Sequence, residues 1–479
     1  MERLGRFFAR LAQRYLPDPF VLALVLTLGV MVVAWLAPQN DALRAQGMLG
    51  RPAAVARLWI QGLANTEFLA FPLQMCLILL TGFALAKAPV ATRLLDAIAD
   101  TVRTNRGAAG LVALVSCTSC WINWGFGLIA SGLLAARIRA RFARLHRPCN
   151  YPLIVASAYV GMMIWHGGLS GSAPLKVTEG VPVERYVDGR LTPVQAEGIT
   201  VNRTILSPAN LALSAVLLVG IPCLARSMAG GTGGEVLSIQ EDQVGLPAPR
   251  GSERDERGPA ERTPAEALDH APWLRTLVVL VALAALVVRV WEKRWGAVDL
   301  TFVILSFLTV GLLLHRDIVT YIAALTEGGR AVVGIVIQFP LYAGIQGLMA
   351  GAGLAAAVAH GFVNLSDWCG EMLGLASAVT FPIATFISAC IINLFIPSGG
   401  GQWIVQGPIM CSAAEQLGLP LNQTVMAVAY GDELTNMVQP FWAIPLMGLS
   451  GVHAREFMGY CALLMLLATP AFAVALLCF

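Results

Sequence analysis

Ser119-Cys120-Trp121-Ile122-Asn123 in the first half of the chain is answered in the second half by Ala389-Cys390-Ile391-Ile392-Asn393. Around this pair the echo continues. Phe71-Pro72-Leu73 matches Phe339-Pro340-Leu341, Ala156-Ser157-Ala158-Tyr159 matches Ala427-Val428-Ala429-Tyr430, and Pro174-Leu175 matches Pro445-Leu446. All four matches keep the same order at offsets of 268 to 271 residues. One such match is cheap in an apolar chain, but four in register indicate a duplication. Two repeats of opposite orientation build a site near the bilayer midplane, so the duplicated segments are where function is expected.

Composition supports a membrane setting. The 479 residues are 57% hydrophobic and 13% charged, with a formal net charge of +3. Runs such as Phe20 to Ala37 and Thr276 to Val288 are, with their flanks, long enough to cross a bilayer as helices. Ten cysteines lie mostly inside apolar runs, and Cys117-x-x-Cys120 lacks the second ligand pair of a zinc site, so they read as packing residues. Phosphate-binding loops and H-E-x-x-H are absent, which leaves no basis for primary pumping or zinc hydrolysis. The pattern carries no nucleic-acid signature and implies no cofactor beyond a coupling Na⁺ or H⁺.

Charge sets the topology, because Lys and Arg concentrate on the cytoplasmic side. Arg3, Arg6, Arg10 and Arg14 form a cytoplasmic amphipathic N-terminus (1–16). A first repeat (17–228) follows, with spans near 18–37 and 67–87. The apolar segment 110–134 has basic clusters on both flanks and a polar, turn-prone middle, so it reads as a re-entrant hairpin rather than a crossing. Span 151–175 contains Trp165-His166-Gly167-Gly168-Leu169-Ser170-Gly171-Ser172, Gly-rich enough to interrupt a helix. Residues 176–204 are expected as an external loop, and 207–226 as the returning span. Residues 229–272 read as a disordered cytoplasmic linker. A linking transmembrane helix (273–297) then allows the second repeat (298–479), with a hairpin at 376–411 and an interrupted span at 422–450, to run inverted. The fold expected is an all-α polytopic membrane protein of two inverted repeats, with about nine transmembrane helices and two re-entrant hairpins. The C-terminus then lies in the periplasm.

Irregular backbone at membrane depth survives only where protein or a water-filled cavity surrounds it, so both hairpin tips are site candidates. The first centres on Ser119, Asn123, Trp124 and Gly125. The second centres on Asn393, Ser398, Gly399, Gly400, Gly401 and Gln402. Its consecutive glycines at a half-helix N-terminus allow close approach and favour an anion. Ser170, Ser172 and Asn436 join them from the interrupted spans. Asp432 and Glu433 sit in a stretch otherwise free of charge from Gln416 to Val452. A mid-membrane carboxylate costs roughly 2.5–3.5 kcal/mol on insertion scales and is a functional candidate by default. About 100° apart on a helix, the two are expected to divide, with one lining the cavity. His166 is the ionisable group of the matching span.

With these residues in view, the chain resembles the bacterial short-chain fatty acid transporter family of the ion transporter superfamily. The resemblance rests on Leu16-Pro17-Asp18-Pro19, Ile122-Asn123-Trp124-Gly125-Phe126-Gly127-Leu128, Pro397-Ser398-Gly399-Gly400-Gly401, Val405-Gln406-Gly407-Pro408 and Gln439-Pro440-Phe441-Trp442-Ala443. It spans nearly the whole chain apart from the linker. It implies uptake of small carboxylates such as butyrate or acetoacetate across the bacterial inner membrane, a homodimer and elevator-type movement. In better-known branches each tip carries a Ser-Asn-Thr-type motif that binds Na⁺. Asn123 and Asn393 correspond by position but stand in Ile-Asn-Trp and Ile-Asn-Leu. Both Na⁺ at these asparagines and H⁺ at Asp432, Glu433 or His166 therefore remain open as the coupling ion.

Two other readings compete. A passive monocarboxylate channel would share the architecture without coupling. An intramembrane serine protease would use a GLSG serine, Ser170 or Ser450, but the two copies lie 280 residues apart and out of repeat register.

Overall fold

The computed structural model describes residues 1–64, 66–187, 190–230, 263–293 and 300–479. The chain begins α1 (Glu2–Tyr15), α2 (Pro19–Leu36), α3 (Asp41–Arg44), α4 (Gly47–Leu63), α5 (Thr66–Lys87) and α6 (Pro89–Asp100). It continues α7 (Asn105–Ile122), α8 (Trp124–Arg144), α9 (Tyr151–Tyr159), α10 (Ser172–Lys176), β1 (Val181–Val187), β2 (Arg190–Ala196) and α11 (Pro208–Met228). Then come α12 (Pro264–Asp269), α13 (Pro272–Lys293), α14 (Leu300–Leu314), α15 (Ile318–Gly328) and α16 (Val333–Gly351). The last six are α17 (Leu354–Leu373), α18 (Ser377–Asn393), α19 (Gly399–Gln416), α20 (Leu421–Thr435), α21 (Pro440–Ser450) and α22 (Ala454–Leu476).

Each boundary that shapes the site has a local cause. Pro89 cannot continue α5, so α5 and α6 meet at a 79° bend. Gly353, in the left-handed region at φ +74°, separates α16 from α17 at a 58° bend. Asn123 adopts an extended conformation between α7 and α8, and its side chain caps α8. Pro397 and Ser398 close the break of 394–398 before α19, with Ser398 as its cap. A 3-10 turn (Asn436–Val438) followed by Pro440 separates α20 from α21. The first half breaks more fully: a 3-10 turn (Val160–Met163) runs into irregular backbone before α10. A bent pair, two helices joined at a tip, an interrupted helix and a long final helix thus occur once in α5–α11 and again in α16–α22.

Among the described residues, four helices are individually long and apolar enough to cross a membrane, and the two bent pairs pass the same test together. The interrupted helices lie innermost, since every residue of α9 and nearly every residue of α20 is buried. By contrast α13 exposes Leu280, Val281, Val287 and Trp291, as a lipid-facing helix would. Helix α1 does not float free: its Phe8 and Ala9 backbone packs directly on Gly459 of α22.

Several elements were not legible beforehand. Residues 176–204 are more than a loop, because β1 and β2 pair antiparallel within them. Helix α4 carries Arg51 and Arg57, which kept it below the apolarity of a span, yet its Gly62 seats against the backbone of α16 at Ala343 and Gly347. Helix α6 lies in a stretch read only as basic. It is amphipathic, and Asp96 and Asp100 pair with Arg137 and Arg141 of α8 at 3.6 and 2.7 Å. The linker of 229–272 falls mainly on 231–262, outside the described residues. Its described end forms α12, begun by a capping box between Thr263 and Glu266.

Candidate binding site

The two helix breaks meet at one histidine. Ala173 N–H donates to Nε2 of His166 at 3.1 Å, so Nε2 carries no proton. The proton is therefore on Nδ1, which donates to Asp432 Oδ1 at 3.0 Å. The ring stacks on Trp165 with centroids 4.4 Å apart and planes 16° from parallel. His166 is fully buried, and Asp432 and Glu433 are each 1% exposed.

Glu433 does a different task. Its Oε2 accepts the backbone N–H of His166 at 2.7 Å and of Gly167 at 3.2 Å. A carboxylate of the second half thereby satisfies the open backbone donors of the first half's break, which lost their helical partners there. The expectation that only one of the two acids faces inward does not describe this arrangement. Both reach the His166 segment, because the irregular backbone of the first break curls around α20. Asn210 of α11 completes the clamp: its Nδ2 donates to Gly167 O at 2.8 Å, and Tyr430 Oη donates to its Oδ1 at 2.8 Å.

The second tip is tied to the same place. Asn393 Nδ2 lies 2.8 Å from Asp432 O, 3.0 Å from Thr435 Oγ1 and 3.0 Å from Asn436 Oδ1. Ser398 Oγ accepts Gly401 N–H at 3.3 Å, and Gln402 Nε2 reaches Ala389 O and Gln406 Oε1. A methyl group on Gly399 would come within 2.6 Å of His166 Cε1 and 3.0 Å of Trp165. One on Gly401 would collide with the Gln346 amide of α16, and Gly400 faces Ser172. The glycines are there because other groups occupy the space of a side chain.

The first tip arrives from the other side. Asn123 Oδ1 accepts Phe126 N–H at 3.1 Å, while Ser170 Oγ accepts Trp124 N–H at 3.2 Å. Trp124 packs edge-on against Trp442 at 4.9 Å and Trp165 at 6.1 Å, which makes an aromatic box between the tips. Gly125 lies against Ile78 of α5. Ser119 lies one turn before the tip, where its carbonyl accepts Asn123 N–H. The hydroxyl that ties α7 to the first break is that of Ser116, which donates to Ala158 O and accepts Gly161 N–H. As for the GLSG serines, Ser170 serves Trp124 and Ser450 Oγ accepts Val452 N–H, while His166 is engaged by Asp432 and Ala173.

Sequence reading missed Trp165, Asn210 and one whole face of α16. Gln338, Tyr342 and Gln346 recur every four residues on that helix and are all buried. The spacing was a usable signal, since three polar side chains on one stripe of an apolar helix seek protein rather than lipid. Asn393 Oδ1, Gln402 Oε1 and Asp432 Oδ2 are buried acceptors, and Trp165 Nε1 is a buried donor, all without a hydrogen-bond partner among the described residues. Among the described residues, no cluster of three or more His, Cys, Asp or Glu is arranged to hold a metal ion.

Apolar helices around a buried polar cluster at paired helix breaks define a multi-pass membrane protein of transporter type. The sequence pattern of the short chain fatty acid transporter family matches residues 1–479, and the chain belongs to that family. It is 35% identical to a protein of Escherichia coli (strain K12) named for short-chain fatty acid transport, over 100% of this chain and 99% of that one. A Haemophilus influenzae protein of the same name is 32% identical over 99% of both. Among solved structures, the Alcanivorax borkumensis YdaH transporter aligns with 87% of this chain and 89% of its own at 16% identity and TM-score 0.41. Neisseria gonorrhoeae MtrF aligns with 98% of this chain and 96% of its own at 15% identity and TM-score 0.39.

Proposed function

We propose that the chain is a secondary active transporter carrying small monocarboxylates such as butyrate or acetoacetate across the bacterial inner membrane. The observation that carries this reading is the fully buried Asp432–His166–Glu433 cluster joining the two helix breaks. Buried ionisable groups inside a membrane bundle are costly, and ion or substrate handling is the usual reason for them.

In this reading the carboxylate lies at the N-terminal ends of α8 and α19, where the helix dipole favours an anion. The acyl tail enters the aromatic box of Trp124, Trp165 and Trp442. A tail of about three carbons gains roughly 2.4 kcal/mol, at ~0.8 kcal/mol per buried CH₂, which suits weak and reversible binding. The proton is the coupling ion. It binds Asp432 Oδ2, the oxygen opposite the one occupied by His166 Nδ1–H. Glu433 holds the backbone and does not exchange protons. Movement is elevator-type in a homodimer, with the N-terminus cytoplasmic and the C-terminus periplasmic.

Sodium coupling is the second reading, favoured by the three unpartnered acceptor oxygens of Asn393, Gln402 and Asp432. Labelled butyrate uptake into proteoliposomes separates the two. Accumulation driven by an inward proton gradient, reduced to equilibration in Asp432→Asn, is the expected result. Accumulation driven by Na⁺ alone would transfer the coupling role to the oxygen cluster. Uptake that never exceeds the equilibrium ratio under either gradient would leave the passive channel.

A further inference from the structure

We infer that α1 is a docking surface for anionic phospholipids, lying along the membrane boundary with an apolar strip in the lipid and its arginines on the headgroup phosphates. Neither the substrate nor the coupling ion bears on this role.

Three span ends fix the level at which α1 lies. Only residues 16–18 separate it from α2, which starts at Pro19 and is long and apolar enough to cross a membrane. A methyl group on Gly5 would come within 3.2 Å of the Tyr460 ring near the start of α22 and 3.6 Å of Met228, the last residue of α11. One turn on, the Phe8–Ala9 backbone packs on Gly459 of α22. Helices α11 and α22 are likewise long and apolar enough to span. The starts of α2 and α22 and the end of α11 thus gather around α1, which places it along the membrane surface. Its seat on α22 also reaches the site. Phe457 of that helix packs edge-on against Tyr159 at 5.9 Å, and the Tyr159 hydroxyl lies 2.8 Å from Asn436 O and 3.0 Å from Gln439 O at the second break. A lipid held by α1 therefore supports more than a chain terminus.

The faces of α1 divide by chemistry. Gly5 and Ala9 are buried against the rest of the protein. Leu4, Phe7, Leu11 and Tyr15 form a separate strip within about 80° of arc, at about 100° per residue. They are 42%, 54%, 42% and 68% exposed. Arg3, Arg10 and Arg14 fall beside Phe7 on the far side of that strip, and all three are exposed. Glu2 pairs with Arg6 at 3.1 Å, whereas Arg3, Arg10 and Arg14 have no carboxylate partner among the described residues. An apolar strip edged by uncompensated arginines, at the level where spans begin, matches the acyl boundary and phosphate layer of a bilayer. Long arginine side chains reach from such a strip to the headgroups. The uncompensated charge selects anionic over zwitterionic lipid. A second copy seated on the same strip would add its own arginines to this edge, and like charges repel.

The test uses purified full-length protein in detergent, titrated with short-chain phosphatidylglycerol or, as control, with phosphatidylcholine of the same tails. Size-exclusion profiles after graded heating give the melting temperature. Phosphatidylglycerol should raise it at lower concentration than phosphatidylcholine, and high salt should narrow that difference. Each of Arg3→Gln, Arg10→Gln and Arg14→Gln should raise the phosphatidylglycerol concentration for half the effect about fivefold, and the triple variant about a hundredfold. Glutamine is a good helix former at these exposed positions, so the melting temperature without lipid should match wild type. If the triple variant does not fold, the single variants decide. A triple variant within about twofold of wild type, or equal stabilisation by the two lipids at low salt, overturns the inference. So does a triple variant that loses a dimer while keeping its phosphatidylglycerol response, which would give the strip to a second copy.

Discussion

Glu433→Ala and Glu433→Gln together probe the clamp between the two halves. In the wild type one carboxylate oxygen accepts two backbone N–H groups, at 2.7 and 3.2 Å. Alanine leaves both donors buried and unpaired, at about 1–3 kcal/mol each, for a total of about 2–6 kcal/mol. Relief from burying the carboxylate offsets part of this, so the lower end is the firmer expectation. Glutamine keeps an oxygen in place and loses only the charge, which roughly halves each bond. The order of stability should be wild type, then Glu433→Gln, then Glu433→Ala. At roughly 2 °C per kcal/mol for a large domain, the alanine variant should melt about 4–12 °C lower in detergent. Uptake should follow the same order, because the His166 segment is what Glu433 holds. Size-exclusion profiles after graded heating measure the first effect, and butyrate uptake the second. An alanine variant that melts and transports like wild type would refute the clamp. A glutamine variant as damaged as alanine would show that the charge, not the hydrogen-bond geometry, matters.

Three shorter predictions follow from the same contacts. Asn393→Ala removes the link from the second tip to α20, whereas Asn123→Ala removes a helix cap worth about 1 kcal/mol. Both should cut uptake with expression intact, Asn393→Ala the more deeply, and wild-type uptake in both would reduce the asparagines to packing. Gly401→Ala drives a methyl group into the Gln346 amide, a strain of about 1–3 kcal/mol, and uptake should fall. Adding Gln346→Ala should restore it, and an unaffected single variant would disprove the contact. Outside the membrane, burial works against the Asp317 carboxylate, but the Thr320 backbone and hydroxyl and the His270 ring together hold its pKa below the ordinary value. Its contribution to stability is therefore present above the ordinary carboxylate range and lost as the pH falls through the lowered value. Asp317→Asn should flatten the acid limb of the melting profile, and an unchanged limb would assign the pH dependence elsewhere.

Much of the architecture was legible because the bilayer imposes simple rules. Apolar length reported the spans, the polar, turn-prone middle of 110–134 coincides with the break at Asn123 between α7 and α8, and the Gly-rich run after His166 announced a helix break. The matched phrases made Asn123 and Asn393 equivalent by position, and each lies at a helix end beside a break. Helices α4, α6 and α17 were missed for one reason: their charged residues brought them below the apolarity of a span, and that threshold does not recognise helices of mixed composition. The strands β1 and β2 are not legible because balanced charge does not distinguish a paired hairpin from a loop.

The sequence by itself determined that polar residues of an otherwise apolar chain gather near two broken helices. It could not say which of them meet. His166 finds Asp432 and Glu433 across more than half the chain, and no periodicity reports a contact of that separation. Nor could it assign different tasks to adjacent acids, since their division depends on which one faces open N–H groups of another segment. The polar stripe on α16 acquires meaning only from Gly401 and Phe441 packed against it. Hydrophobic pattern records which side chains avoid lipid or water. The identity of the partner that lets them do so is a property of the assembled helices.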